Sequence, residues 1–377
     1  MNEKEIAEIR RRFRPEKSNI THVRGCYVNE NREIISQFSQ SLAMTEQEES
    51  EQILGCLKRA LSGTLGKNLI DVTFSTQQVV DGEEHRLLMA LRNSSLNDKE
   101  ALETFYQKVI QSLTMEGNYM ILLAFDTYDV PYRSQDGEIQ EEASNQVYSY
   151  FVCSICPVKM TKPALSYFVQ DNLLHNRRVD WLLAPPEVGF LFPAFDDRAT
   201  NLYNALYYSR NIAENHKELA DALFRCELPM PAAEQRETFE TVLGDTLDED
   251  CSYDVVQSVQ ERLQEMIQEH KERRETEPLR LSKKTVKTVL DGCGVPEPRL
   301  EAFEEKYDEA FGADTEISPR NLVDNKLQVR TPDVTIQVNP ERSDLIQTRV
   351  INGSKYILIR AEGGVEVNGV DIHIKED

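Results

Sequence analysis

The chain has 377 residues, with 65 acidic and 43 basic side chains, and therefore a net charge of −22 at neutral pH. Such a charge disfavours a protein that clamps phosphates over its whole surface, because those contacts need clustered lysine and arginine. No apolar run reaches the roughly 18 residues of a membrane span, and the first residues lack the apolar core of a signal peptide. We expect a cytoplasmic protein of about two domains with no membrane partner.

The first 226 residues mix helical and strand patterns. A short helix over 2–14 ends before Pro15, and strands over 19–28 and 32–39 are predicted to form a hairpin. The elements predicted next, in chain order, are helix 46–61, strand 68–75, helices 83–92 and 98–114, strand 118–125, a strand holding Cys153 and Cys156, strands 165–169 and 188–195, and helices 198–210 and 214–226. Strand 118–125 and the cysteine-bearing strand are expected to be neighbours.

Composition changes after residue 226. Residues 227–277 carry 15 acidic and 5 basic side chains, and their main element is a predicted helix from Tyr253 to Arg274. Its apolar stripe consists of Val256, Val259, Leu263, Ile267 and His270. We expect this stripe to dock on its own chain, so a monomer is favoured over a homodimer.

The last sixty residues switch to period two, which indicates a small antiparallel sheet. Asn352-Gly353 and Asn368-Gly369 are hairpin turn signals within it. The predicted fold class is therefore α+β. It comprises a mixed α/β domain over 1–226, an acidic helical segment over 227–315 and an antiparallel β unit over 316–377.

The seven cysteines are expected to be reduced, because their number is odd and no secretion signal precedes them. Cys153 and Cys156 form a CxxC within a β-branched and aromatic run. Residues i and i+3 of a strand point to opposite faces, so the two sulfurs should diverge. We predict no metal and no cofactor at this pair.

Arg10, Arg11, Arg12 and Arg14 form the densest basic cluster and run against the acidic net charge. They are the candidate residues for contact with a nucleic acid. The alternative is a solvated helix face that balances nearby glutamates, which we favour.

Four aspartates follow apolar strands, where metal-dependent hydrolases place their ligands. They are Asp126, Asp129, Asp196 and Asp197, and they define an alternative metal site. Aspartate is also common wherever a strand turns into a loop, so capping and ion pairing compete with this interpretation. No nucleophile elbow, cysteine–histidine signature or dinucleotide fingerprint accompanies them, and a non-enzymatic protein is favoured.

Several long segments closely resemble an uncharacterised bacterial family, the domain of unknown function 4317, over the whole chain. The resemblance implies a cytoplasmic protein of unassigned function without known catalytic residues. The segments that carry it are MNEKEIAEIRRRFRPEKSNITHVRGCYV, LSGTLGKNL, YDVP, VYSYFVCSICPVK, VGFLFPAFDDRATN with ALYYSRN, and TPDVTIQVNPERSDLIQTRVINGSKYILI.

The order of elements, from helix 46–61 through strands 119–125 and 189–195 to helices 198–226, is similar to that of nucleoid-associated proteins of the NdpA type. This resemblance implies a cytoplasmic protein that acts through nucleic-acid or protein contacts. Those proteins tend to have a basic stretch where Asp196-Asp197-Arg198 stands here. The remaining hypotheses are the metal-dependent hydrolase and an acidic scaffold that binds a basic partner.

Overall fold

The computed structural model describes all residues except 134–138, 178–179, 274–278, 314, 324–326, 339, 362, 368 and 374–377. The fold is α+β, as predicted. The chain divides into two compact units, one formed mainly by residues 1–234 and the other by residues 235–275 and 279–377. The three-part division inferred from composition stays a prediction.

The first unit contains six α-helices and twelve strands among its described residues. The helices are α1 Glu3–Arg10, α2 Gln47–Arg59, α3 Thr76–Asp81, α4 Glu83–Asn93, α5 Lys99–Ser112 and α6 Lys217–Phe224. The strands are β1 His22–Val28, β2 Ile34–Ser41, β3 Leu69–Thr73, β4 Tyr119–Arg133, β5 Ile139–Met160, β6 Ala164–Phe168, β7 Leu173–Arg177, β8 Trp181–Leu183, β9 Val188–Phe192, β10 Ala194–Asp196, β11 Ala199–Asn201 and β12 Asn204–Ser209.

One antiparallel sheet organises this unit, in the order β2-β1-β4-β5-β9-β12-β3, with β8 paired to the end of β5. The predicted β1–β2 hairpin and the predicted pairing of β4 with β5 are both confirmed. Helices α4, α5 and α6 cover one face of the sheet, and α1 and α2 cover the other. Because both faces are covered, the central strands are buried on both sides, which explains their nearly continuous apolar sequences.

The two cysteines of the CxxC lie on opposite faces of this sheet, as the strand geometry predicts. Cys153 belongs to the core under α4–α6, whereas Cys156 belongs to the core under α1 and α2. Both are fully buried. All seven cysteines are free thiols.

The helix predicted over 198–210 is wrong. That segment forms β11 and β12, and β12 is hydrogen-bonded between β9 and β3. Asp197 and Arg198 both have positive φ, which makes the turn from β10 into β11. The apolar residues of 204–209 are buried on both sides of the sheet. A short apolar run that is buried on both sides cannot be distinguished from a buried helix by its sequence periodicity.

The second unit begins with helices. Its core is apolar and is drawn from α7 Ala232–Leu247, α8 Tyr253–Arg273, α9 Lys283–Gly292, α10 Glu297–Phe311 and α11 Pro319–Leu322. Three two-stranded antiparallel pairs follow: β13 Leu327–Arg330 with β14 Thr335–Val338, β15 Ile346–Ile351 with β16 Ser354–Ile359, and β17 Val365–Val367 with β18 Val370–Ile372. The predicted C-terminal antiparallel strands are thus present. Asn368 of the second predicted turn lies outside the described residues, as does Arg274 of the predicted long helix.

Helix α8 docks on its own unit, although not along the whole predicted stripe. Val259 and Leu263 are buried in the core of the second unit, and Met266 packs against them. Val256 is 39% exposed, and Ile267 is half-buried. The buried face is therefore rotated slightly from the predicted one. Across the described residues, no helix has the length and apolar character needed to cross a membrane.

Candidate functional site

The predicted arginine cluster is split by the fold. Arg10 donates from Nε to the carbonyl oxygen of Leu61 at 2.5 Å and from Nη2 to that of Gly63 at 3.1 Å, and so binds the turn that follows α2. Arg12 turns inward, where its guanidinium lies 5.0 Å from the centre of the Tyr128 ring. Only the side chains of Arg11 and Arg14 are exposed.

Asp126 of β4 is buried, and its side chain connects the N-terminal segment to the sheet. Its Oδ1 accepts hydrogen bonds from the backbone N–H groups of Asn19 at 3.0 Å and Thr127 at 2.9 Å. Its Oδ2 accepts one from the Tyr150 hydroxyl at 2.8 Å and lies 3.5 Å from Nε of Arg12. Burial raises the pKa of this carboxyl despite these donors.

The other three aspartates do not join Asp126. Asp129 is exposed, and Asp197 is exposed at the turn after β10. Asp196 accepts a hydrogen bond from Asn201 at 3.1 Å and lies 3.6 Å from the amino group of Met1. Within the described residues, no group of three or more histidine, cysteine, aspartate or glutamate side chains is arranged to hold a metal ion.

Arg198, next to these aspartates, fastens α1 to the sheet. Its Nη1 donates to both carboxylate oxygens of Glu8, at 2.6 and 2.5 Å, and its Nη2 donates to the carbonyl oxygen of Pro131 at 2.9 Å. The Tyr128 hydroxyl also donates to Glu8, at 2.7 Å. Asp196 and Arg198 are therefore both in ion pairs, the first with the amino group of Met1 and the second with Glu8.

An open groove of about 910 Å³ lies beside α2 on the α1–α2 face of the sheet. Its floor is apolar and is formed by Val23 of β1 with Met120 and Leu122 of β4. Phe38 and Gln40 of the edge strand β2 also line the groove, as do Leu183 of β8 and the following Ala184. We refer to this cavity as the α2 groove.

Phe38 owes its position in the α2 groove to the glycine opposite it. Gly25 and Phe38 are register partners in the β1–β2 hairpin. A Cβ at residue 25 would come within 2.0 Å of the Phe38 ring, so the ring lies over the bare glycine backbone. Because Val23 and Gly25 share a strand face, the ring extends the apolar floor towards the sheet edge. Phe38 keeps 37% of its surface exposed.

Helix α2 forms the other wall of the groove. Its buried residues Leu54, Leu57 and Ala60 anchor it to the sheet. Gly189 of β9 permits this approach, since a Cβ there would lie 2.9 Å from the Cβ of Ala60. The groove-lining side of the helix carries Glu48, Glu49, Glu51, Gln52, Ile53, Gly55, Cys56 and Arg59.

The groove wall is acidic at the N-terminal half of α2. Glu48, Glu49 and Glu51 are all exposed. Among the residues that the structure describes, no cation pairs with Glu48 or Glu49, while Glu51 accepts a hydrogen bond from Gln47 at 3.1 Å. The α2 groove therefore combines an apolar floor with carboxylates that are free to meet a positive charge.

A family model described as "Domain of unknown function (DUF4317)" matches residues 1–370. The chain belongs to this family. The membership predicted from the sequence is therefore confirmed. A search of curated proteins finds no match to this DUF4317 chain.

Sequence reasoning missed the α2 groove of this DUF4317 protein. The apolar spacing of α2 was visible, but the glutamates on its other side are typical of any solvated helix face. They become part of a groove because the fold places the edge strand β2, residues 34–41, and the end of β8, residues 181–183, beside them. No local sequence pattern predicts that these segments lie next to α2.

Proposed function

We propose that this DUF4317 protein is a non-enzymatic binding module whose α2 groove takes a segment of a partner protein. The segment presents basic side chains to the glutamates of α2 and apolar side chains to the floor. The observation that carries this proposal is the exposed pair Glu48 and Glu49 beside the apolar floor formed by Val23, Leu122 and Phe38.

The dimensions and chemistry of the groove support such an occupant. Binding clefts commonly have volumes of about 300–1,000 Å³, and the α2 groove has about 910 Å³. Amphipathic segments bind in grooves of this kind through apolar anchors, while complementary charges set their register. An anionic ligand such as nucleic acid would meet three glutamates against one arginine, Arg59, on the lining of α2.

Fluorescence anisotropy with a labelled synthetic peptide tests this function. The peptide carries leucine on one helical face and lysine on the flanking positions, and a second peptide carries glutamate in place of lysine. We expect saturable binding of the lysine peptide alone, with weaker binding as salt is raised. The double variant Glu48→Lys with Glu49→Lys should lose at least about tenfold in affinity, on the order of 1.4 kcal/mol.

The matched control is Glu301→Lys with Glu305→Lys, which makes the same charge change on exposed positions of α10. It should leave the affinity within about twofold, because long-range charge alone is largely screened at physiological salt. Equal binding of both peptides, or equal losses in both double variants, would contradict a specific role for the α2 groove.

The resemblance to NdpA-type proteins supports a second proposal, binding of DNA through Arg11 and Arg14, whose side chains are exposed. With so few cations, binding should be weak and strongly dependent on salt. A gel-shift titration at low salt tests it, with Arg11→Ala and Arg14→Ala as variants. The absence of a shift at tens of micromolar protein would exclude this function.

We also propose a cytoplasmic location. The seven free thiols support it, since a reducing compartment keeps cysteines in that state. Fractionation of the producing cells with an antibody to the protein tests the proposal. Recovery of the protein outside the cytoplasmic fraction would contradict it.

A further inference from the structure

Two cysteines that are far apart in the chain meet beneath the α2 groove. Cys56 of α2 and Cys156 of β5 are 100 positions apart, and their Sγ atoms lie 3.5 Å from each other. Cys56 is half-buried and lines the groove, whereas Cys156 is fully buried in the core under α1 and α2. The pair therefore consists of one thiol that a small molecule can reach and one that it cannot.

The surroundings make the two thiols unequal in acidity. The two sulfurs lie within hydrogen-bond distance and either thiol can donate, and the contact with Cys156 lowers the pKa of Cys56 although burial opposes it. The guanidinium of Arg59, one helical turn further along α2, acts in the same direction. The same thiol–thiol contact, with burial, raises the pKa of Cys156. Cys56 is therefore the thiol that ionises first and the stronger candidate for a nucleophile.

We propose that Cys56 and Cys156 form a redox modification site, which hydroperoxides convert to a disulfide. This inference does not depend on what the α2 groove binds. Cytosolic disulfides are commonly redox-sensing ones, and such sites pair an accessible, acidified thiol with a second thiol close behind it. The α2–β5 contact supplies both elements.

The oxidation of the two thiols to a disulfide takes place in two steps. The Cys56 thiolate attacks the distal oxygen of the hydroperoxide ROOH, the O–O bond breaks, and with uptake of a proton the products are the Cys56 sulfenic acid and the alcohol ROH. Cys156 then attacks the sulfenic sulfur, the S–O bond breaks, and the proton of Cys156 leaves with the hydroxide as water. In sum, two thiols are oxidised by two electrons and one hydroperoxide is reduced to ROH and water.

The geometry accommodates the product with small movements. A disulfide has an S–S distance of about 2.05 Å, so the two sulfurs must approach by about 1.5 Å. Cys153 is excluded as the partner because it lies on the opposite face of the sheet. The CxxC of the sequence is thus not the redox pair, and its second cysteine pairs with a helix residue instead.

The test is treatment of the full chain with hydrogen peroxide, followed by intact-mass measurement and peptide mapping without reduction. We expect a loss of two hydrogens, a cross-link between the peptides of Cys56 and Cys156, and reversal by dithiothreitol. The variant Cys156→Ala should stop at the sulfenic acid on Cys56, trapped as its dimedone adduct, and Cys56→Ser should form no cross-link. The matched control Cys153→Ala should give the wild-type cross-link.

The wild-type chain tests the proposal even if a variant in the core folds poorly. Exposed Cys251 serves as an internal reference, because no thiol partner of it is found among the described residues. A peroxide time course with alkylation of the remaining free thiols should show Cys56 losing its thiol at least about tenfold faster than Cys251. A cross-link between other cysteines, accumulation of sulfenic acid on Cys56 in the wild type, or equal rates at Cys56 and Cys251 would overturn the proposal.

Discussion

Nε of Arg12 lies 3.5 Å from Oδ2 of Asp126, and this ion pair joins the turn after α1 to β4. The sequence had placed Arg12 in a candidate nucleic-acid surface and Asp126 in a candidate metal site. In the fold, each is a partner of the other, and both side chains are largely buried. The pair holds the N-terminal segment on the face of the sheet that also carries the α2 groove.

Removing the carboxylate of Asp126 should strongly destabilise the first unit. Asp126→Ala deletes the acceptor of three hydrogen bonds and leaves Arg12 without its carboxylate partner, so we expect a loss of about 3–5 kcal/mol in the free energy of unfolding. Tyr150→Phe removes one hydrogen bond and should cost about 1 kcal/mol. Urea unfolding followed by circular dichroism measures both, and equal effects of the two variants would contradict this account.

The raised pKa of Asp126 predicts a pH dependence of stability. Burial raises its pKa above 3.8, so the folded chain binds this proton more tightly than the unfolded chain. Its stabilising contribution is full below that value and is lost as the pH rises through the folded pKa. The free energy of unfolding of wild type minus that of Asp126→Asn should therefore fall as the pH rises from about 4 and then level off. A difference that grows with pH would mean that pairing with Arg12 outweighs burial.

Leu263 should be the main anchor of α8. Its side chain is fully buried, so Leu263→Ala should lower the free energy of unfolding of the second unit by about 2–5 kcal/mol. Val256→Ala on the exposed side of the same helix should cost less than about 1 kcal/mol. Denaturant unfolding compares them. Sedimentation equilibrium should show the same oligomeric state for the wild type and for Leu263→Glu. If the wild type were a dimer and this variant a folded monomer, docking of α8 within the chain would be contradicted.

Two glycines near α2 should respond in opposite directions to alanine. A Cβ at Gly189 would lie 2.4 Å from the carbonyl oxygen of Cys153, so Gly189→Ala should cost about 1–3 kcal/mol. A Cβ at Gly55, inside α2, meets nothing within 4 Å, so Gly55→Ala should stabilise by about 0.5–1 kcal/mol. Thermal unfolding measures both variants. A loss of stability in Gly55→Ala would show that the groove wall has less space than the structure indicates.

Local patterns were sufficient for most of the first unit. The β1–β2 hairpin, α2, α5 and the β4–β5 pairing all follow from apolar period and turn residues close in sequence. The failure at 198–210 has a physical cause. The short strand β12 is buried on both faces, so its sequence shows no alternation of apolar and polar residues. The turn between β10 and β11 uses Asp197 and Arg198 at positive φ rather than glycine, so it carries no turn signal either.

The candidate site could not be predicted in the same way, because every part of it depends on long-range contacts. Cys56 and Cys156 meet across 100 positions, and Arg12 finds Asp126 across more than a hundred. The basic cluster around Arg12 and the CxxC around Cys156 are visible in the sequence, but neither indicates the partner that the fold supplies. Chemistry that arises only from tertiary contacts leaves no periodic or spacing signal to read.

A charge-swap double-mutant cycle on the α2 groove tests the central claim most directly. It combines wild type and the Glu48→Lys, Glu49→Lys variant with the lysine and glutamate peptides, and isothermal titration calorimetry gives the four affinities. Direct contact predicts that the variant rejects the lysine peptide and gains affinity for the glutamate peptide, with a coupling energy of about 1.5 kcal/mol or more. A coupling energy near zero would contradict the proposal that these glutamates face the bound segment.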